Sequence, residues 1–440
     1  MSTTHRSRLA GVLATLALIV GLVGSTQPAS AAPVTNPLEA GAHWLASQVG
    51  DDGTLEGFTP GQADYGSTLQ GIIALAAAGH EGPTALLMLD AVNGDIETVI
   101  APFGSDDAGR LGLAILANLA LGEDPTDVDG VNLVERLQAS QRPTGDPDAG
   151  LYGSADPTFD GAFRQGLAVL ALAGVGVVDD AGTAWLVDQQ CDTGSWQAYR
   201  ADTTVACPVP SAATFSGPDT NSTAMALMAL TAQGVTPDAD AVAWLTSVRS
   251  STGGWPYFGD PAEASDSSST GLVLAALTTA EQAPAGQAAL MQLDASGQSD
   301  LLSFQVGCDD PDPTSIGGFF FQPQDDNSQL PDVFSTNQAL WGLADVPFPV
   351  IDAPPGVPSP PPARRRQSRP IPRAPPWSRR RRSPRRPRRH PGRRPRRPPR
   401  RPRRPIRRSP TRPRPPARST VLSHRQPRRR RAARSRLRTR

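Results

Sequence analysis

One short phrase that joins a carboxylate to a pair of hydroxyls recurs along the chain. It reads Asp64 with Ser67 and Thr68, Asp219 with Ser222 and Thr223, Asp266 with Ser269 and Thr270, and Asp332 with Ser335 and Thr336. Two degenerate copies, Asp106 with Arg110 and Asp160 with Arg164, keep the acid but carry Arg where Thr stands in the others. Acids repeated at one structural position could pair for general acid and base work, gather round a cation, or hold a polar ligand. A fourth role needs no ligand. Asp, Ser and Thr accept hydrogen bonds from the unpaired amides of a first helical turn, and a negative charge suits the positive end of the helix. Capping is therefore the default for each copy, and only convergence of the copies on one rim makes a site.

On the rim reading, the ligand-binding candidates are Asp64, Asp160, Asp219, Asn221, Asp266 and Asp332, with no catalytic residue assigned. Sugar sites also want aromatic faces, and Tyr65, Tyr152, Phe159, Phe215, Tyr257 and Phe334 are the candidates for a mouth in a chain that is only 5% aromatic. No 12-residue calcium loop is present, because Asp124, Asp127 and Asp129 have the wrong spacing. The expectation is no metal and no cofactor.

The elements that position these acids follow from the repeat. Six copies at intervals of roughly 40 to 65 residues point to a repeat architecture. Each copy heads a run of Ala, Leu and Gly, at 67–79, 111–122, 165–174, 222–234, 269–280 and 335–343. Such runs are apolar nearly all round and predict closely packed helices buried on most faces. More amphipathic helices are predicted over 40–49, 131–140, 183–190, 239–249 and 299–306, with apolar residues at helical spacing. Buried helices ringed by amphipathic ones give an all-α fold, a closed α/α toroid of six helical hairpins over residues 32–350, and closure removes the need for capping repeats.

A family resemblance rests on a second repeat. Trp185 and Leu186 with Gln190, Gly194 and Trp196 match, position by position, the aromatic, aliphatic, Gln, Gly and Trp repeat of squalene and other terpene cyclases. Trp244 and Leu245 with Arg249, Gly253 and Trp255 match with Arg in place of Gln, and weaker echoes lie at Trp44, Leu45 and Gly53 and at Gly317, Gly318 and Phe319. The chain thus resembles the terpenoid-cyclase and prenyltransferase toroid superfamily over nearly all of residues 35–345. In that family, the resemblance implies, the Gln and Trp tie successive helix pairs together at the periphery.

The chemistry the resemblance implies is less well matched. Class II terpene cyclases protonate their substrate with the middle Asp of an Asp-x-Asp-Asp motif at an inner-helix head, and here Asn221 and Ser222 follow Asp219 in that register. An amide has no proton at a usable pKa. The zinc of a protein prenyltransferase lacks ligands, since the mature domain has only His43 and His80, and six Arg against so many acids give a diphosphate substrate no welcome. The Cys-Gly-Glu-Gln thioester of complement-like relatives is absent. A cobalamin carrier fits export and a disulfide, although such carriers add a β-rich domain for which no sequence follows Val350. The resulting expectation is a secreted or cell-surface, non-catalytic binding module whose ligand is an unknown small molecule, such as a corrinoid, or an envelope component. The alternative is an enzyme of the terpene cyclase, prenyltransferase or (α/α)6 glycan-processing class that uses mouth carboxylates.

Export is read from the first 31 residues, where His5, Arg6 and Arg8 precede an apolar stretch from Leu9 to Val23 and a small-residue cleavage signal at Ala29–Ala31. In an oxidising compartment Cys191 and Cys207, close in sequence, are expected to pair and leave Cys308 over. The net charge of +1 hides two opposed halves: residues 1–350 hold 8 Arg and 41 acids, whereas 351–440 hold 35 Arg and a single acid, Asp352. The second half, Pro and Arg with almost nothing apolar, is expected to be disordered. It reads either as a polybasic arm or as a Pro/Thr-rich stalk translated out of frame, which would leave any membrane link to a lost C-terminal anchor. Nucleic acid is not expected as a partner of the acidic folded half.

Overall fold

The computed structural model describes residues 36–57, 59–236, 239–281, 297–323 and 329–351. The expected signal peptide and Pro/Arg-rich tail lie outside them. Twelve helices occur among the described residues: α1 (Pro37–Ser47), α2 (Tyr65–Ala78), α3 (Gly82–Gly94), α4 (Ile96–Ile100), α5 (Ala108–Ala120), α6 (Leu133–Ala139), α7 (Ala162–Gly174), α8 (Asp180–Asp188), α9 (Thr220–Ala232), α10 (Ala241–Ser247), α11 (Ser267–Glu281) and α12 (Val333–Leu343). A further helical segment over 297–302 begins next to residues outside the description, so the count of hairpins is not closed by the described chain. Two short antiparallel strands, β1 (Trp196–Gln197) and β2 (Pro218–Asp219), pair Trp196 with Asp219.

The six helices that begin at the repeated phrase form the inner layer. In chain order α2 packs on α5, α5 on α7, α7 on α9, α9 on α11, α11 on α12, and α12 returns to α2, so the ring is closed. Their small residues set the spacing. A Cβ on Gly112 of α5 would lie 3.0 Å from the Leu167 carbonyl of α7, and one on Gly271 of α11 would lie 2.1 Å from the Gln338 carbonyl of α12. Contacts advance together along both members of a pair, from Gly109 with Arg164 to Gly112 with Leu167, from Gly166 with Met225 to Val169 with Gln233, from Gly271 with Gln338 to Thr278 with Asp345, and from Ser67 with Asn337 to Gln70 with Trp341, so these inner helices run parallel to their neighbours. Alanine at 271 must force α11 and α12 apart, and a loss of about 1–3 kcal/mol is expected for Gly271→Ala. Gly94→Ala is the control, because its Cβ meets nothing and alanine favours the helix. Thermal midpoints of the two variants should move in opposite directions.

The outer helices are joined by a chain of clamps. Gln190 Nε2 donates to the Gly194 carbonyl in its own turn (3.1 Å) and to Ala239 ahead of the next outer helix (2.9 Å). Trp196 Nε1 donates to the Leu186 carbonyl at 2.7 Å, and Trp255 Nε1 repeats this to Leu245 at 2.8 Å. Gln305 closes the circle by donating to Gly317 (2.9 Å) and to Pro37 in the first outer helix (2.7 Å). Gln141 is the equivalent clamp on Asp179, at 2.9 Å. Both were hidden in the sequence because extra loop residues separate each Gln from its Gly. Cys191 and Cys207 form the expected disulfide, and Cys308 is free and exposed.

Candidate active site at the heads of the inner helices

Four of the six acids cap their helices as the sequence suggests. Asp64 accepts the amides of Gly66 (2.8 Å) and Ser67 (3.1 Å), and Asp219, Asp266 and Asp332 accept those of Ser222, Ser269 and Ser335 at 2.6, 2.6 and 2.8 Å. The threonine serves a different bond. Its hydroxyl accepts the backbone amide of the turn before the helix, pairing Thr68 with Leu55, Thr223 with Trp196, Thr270 with Trp255 and Thr336 with Phe319, each at 3.0 Å. The phrase therefore fastens the aromatic turn of each outer helix onto the head of its inner partner.

The two degenerate copies need correction. Asp107, not Asp106, caps α5, and α7 starts from Gly161 at φ 144°, not from Asp160. Counted from these caps, Arg110 and Arg164 take the place of Ser, while Gln165 takes the place of Thr and accepts the Tyr152 amide at 2.9 Å. Each Arg reaches back one helix, Arg110 to Asp64 (3.6 Å) and Arg164 to Asp107 (3.0 Å). Asp106 instead pairs with Arg136. Asp160 accepts the Ser154 amide (2.9 Å), the Ser154 hydroxyl (3.0 Å) and the Asp156 amide (3.0 Å), so it knots the loop before α7.

Two halves of the rim differ in electrostatics. Over α2, α5 and α7 the acids meet arginines. Over α9 and α11 they do not: Asp219 and Asp266 are only 2% and 1% exposed, and burial pushes both carboxyls up to about 7 against the opposing pull of their capped amides. The Tyr257 phenol lies within the field of both and is raised, by burial first and by these two acids second. Phe215 stacks on Tyr257 at 5.8 Å, and Phe258 meets both rings edge-on. Asn221 is half-buried at the same helix head. Of the other expected mouth aromatics, Tyr152 is buried and donates to Asp179 at 2.9 Å, and Tyr65 donates to Asp95 at 2.6 Å.

A cleft of about 310 Å³ opens where the ring closes, between α1, the heads of α2 and α12, and the turn after α1. The residues that line it include Glu56 and Asp332 with Trp44, Phe334 and Ser67. Asp64 stands directly behind, since a Cβ on the cleft residue Gly57 would lie 2.7 Å from its Oδ2. Glu56 was not foreseen: it is a lone exposed acid in a turn, and only the closure of the ring sets it across from Asp332. Among the described residues no group of three His, Cys, Asp or Glu side chains could hold a metal ion.

No family profile matches the sequence, and no curated protein is recognisably similar to it. Among solved structures the chain is similar to the type II terpene cyclase MstE from Scytonema, at 15% identity and a TM-score of 0.48 over 70% of this chain and 96% of that one. It is also similar to the GH76A α-1,6-mannanase of Salegentibacter sp. HEL1_6, at 12% identity and a TM-score of 0.48 over 70% and 98% of the two chains. A third similarity is to the unsaturated glucuronyl hydrolase of Bacillus sp. GL1, at 12% identity and a TM-score of 0.44 over 69% and 93%. All three of these neighbours are enzymes, and none of them supports the expectation of a non-catalytic binding module. That expectation rested on Asn221 and Ser222 in place of the cyclase acids and took no account of burial, which raises the carboxyls of Asp219 and Asp266 to about 7. The clamps, the closed inner ring and the repeat agree on the architecture: the chain is an α/α toroid.

Proposed function

We propose that the protein is an exported glycan-processing enzyme that acts at the seam of the toroid. The observation that carries this reading is the cleft at the α2–α12 closure, which Glu56, Asp332, Trp44 and Phe334 all line. Its volume is near the lower end of small-molecule sites, enough for a short stretch of sugar. Glycosidic bonds are broken by two carboxyl groups, one delivering a proton to the leaving oxygen and the other drawing a proton from water or attacking the sugar directly. Aromatic faces hold the ring while polar groups fix its orientation.

The test is release of reducing ends from a panel of neutral and uronate-containing polysaccharides by the purified chain, followed through product size. Saturable release that Glu56→Gln abolishes supports the reading, and no release from any polymer overturns it. A second reading, proton-initiated isoprenoid cyclisation, is favoured by the raised carboxyl of the buried Asp219 and opposed by Asn221 and Ser222 beside it. Polyprenyl substrates run in parallel decide between the two.

A further inference from the structure

Three large aromatic side chains stand out from the rim in loops that lead into inner helices. Phe103 is 80% exposed, Phe159 51% and Phe215 76%, and they precede α5, α7 and α9. With Tyr257 they form two pairs: Phe103 and Phe159 lie 6.1 Å apart with rings inclined at 41°, and Phe215 stacks on Tyr257 with rings inclined at 15°. Each platform is held in place. Asp160 knots the loop that carries Phe159, Arg164 sits 5.7 Å over the Phe159 ring, and the Ser211–Ser216 bridge closes the turn that carries Phe215.

The order of the inner helices sets where these stations lie. Going round the ring, the cleft is at α12 and α2, the first platform at α5 and α7, and the second at α9 and α11, so a station occurs at every second junction. With helix axes about 8–10 Å apart, stations on such a ring are about 12–15 Å from one another, the span of a short oligosaccharide. Exposed apolar patches of this kind mark ligand contact, because leaving the rings in water gains nothing.

We propose, resting on the glycan-processing reading above, that Phe103 with Phe159 and Phe215 with Tyr257 are stacking subsites for an extended, uncharged glycan that crosses the rim from the cleft. Pyranose faces lie flat on such rings without any need for charge. A uronate chain is disfavoured, because residues 36–350 hold 41 acids against six Arg and carry a strongly negative net charge. The enzyme therefore acts within chains and prefers long substrates to short ones.

The experiment compares kcat/KM on a neutral hexasaccharide and on its disaccharide, for the full chain and for the Phe103→Ala/Phe159→Ala double variant and Phe215→Ala. Loss of one platform should lower the long-to-short ratio about tenfold, mostly through KM. Circular dichroism melts check that these exposed positions leave the fold intact. An unchanged ratio in all variants overturns the subsites while the enzyme reading stands, and preferred cleavage of a uronate polymer overturns the uncharged-glycan assignment. If the full chain degrades no glycan but turns over a polyprenyl substrate, both readings fall together.

Discussion

Asp219→Asn and Asp266→Asn are expected to raise the thermal midpoint at pH 8 and to remove most of its fall between pH 4 and 7. In the unfolded chain both carboxyls lose their proton near pH 4, whereas burial holds the folded groups to about 7. The folded state then binds more protons than the unfolded one across that window, so stability falls as pH rises through it and is level above. A shift of this size corresponds to roughly 4 kcal/mol per group at full ionisation. Asparagine still offers an oxygen to the amides of Ser222 and Ser269, so the caps survive and only the proton is lost. Melting curves from pH 4 to 9 check this. A midpoint that climbs with pH over the window, or variants that run parallel to the parent chain, would sink the assignment.

How far the sequence reveals this site depends on the range of the signal. The caps at Asp64, Asp219, Asp266 and Asp332 are local, and acid and hydroxyl at fixed offsets from an apolar run are enough to find them. The same local rule misplaces α5 and α7 by one residue, because Asp106 and Asp107 are both acids and because a glycine can begin a helix without any side chain. The outer pair α3 and α4 carries no clear amphipathic stripe and was not located. The clamp residues Gln141 and Gln305 were lost to inserted loops. Nothing local marks Glu56 at all, since it gains a partner only when the twelfth helix returns to the second. Burial is equally invisible in one dimension: Asp64 and Asp219 sit in the same phrase, yet one faces Arg110 and the other is sealed beneath Tyr257 and Phe258. The types of Asn221 and Ser222 are legible in the sequence, whereas the burial that raises the Asp219 carboxyl beside them is not.

Glu56→Gln and Asp332→Asn are expected to lower kcat by about 100- to 10,000-fold each on a neutral polysaccharide, with little change in melting temperature. The structural cost of each is small for a separate reason. Glu56 is exposed in the turn after α1, and its amide analogue fills the same space. Asp332 caps α12 through Oδ1 to the Ser335 amide, a bond that asparagine reproduces. A loss of activity without a loss of fold then reports on chemistry. The two roles separate by leaving group: the variant that lacks the proton donor should keep much more activity on an aryl glycoside, whose phenolate departs unprotonated, than on the polymer. The variant that lacks the other carboxyl should lose both alike. Double substitution should cost little more than the worse single change, because two groups that act on one bond are not independent. If both single variants keep near-parental kcat, the seam cleft is not where the bond breaks, and the next candidates for the proton are Asp219 and Asp266, whose carboxyls burial raises to about 7.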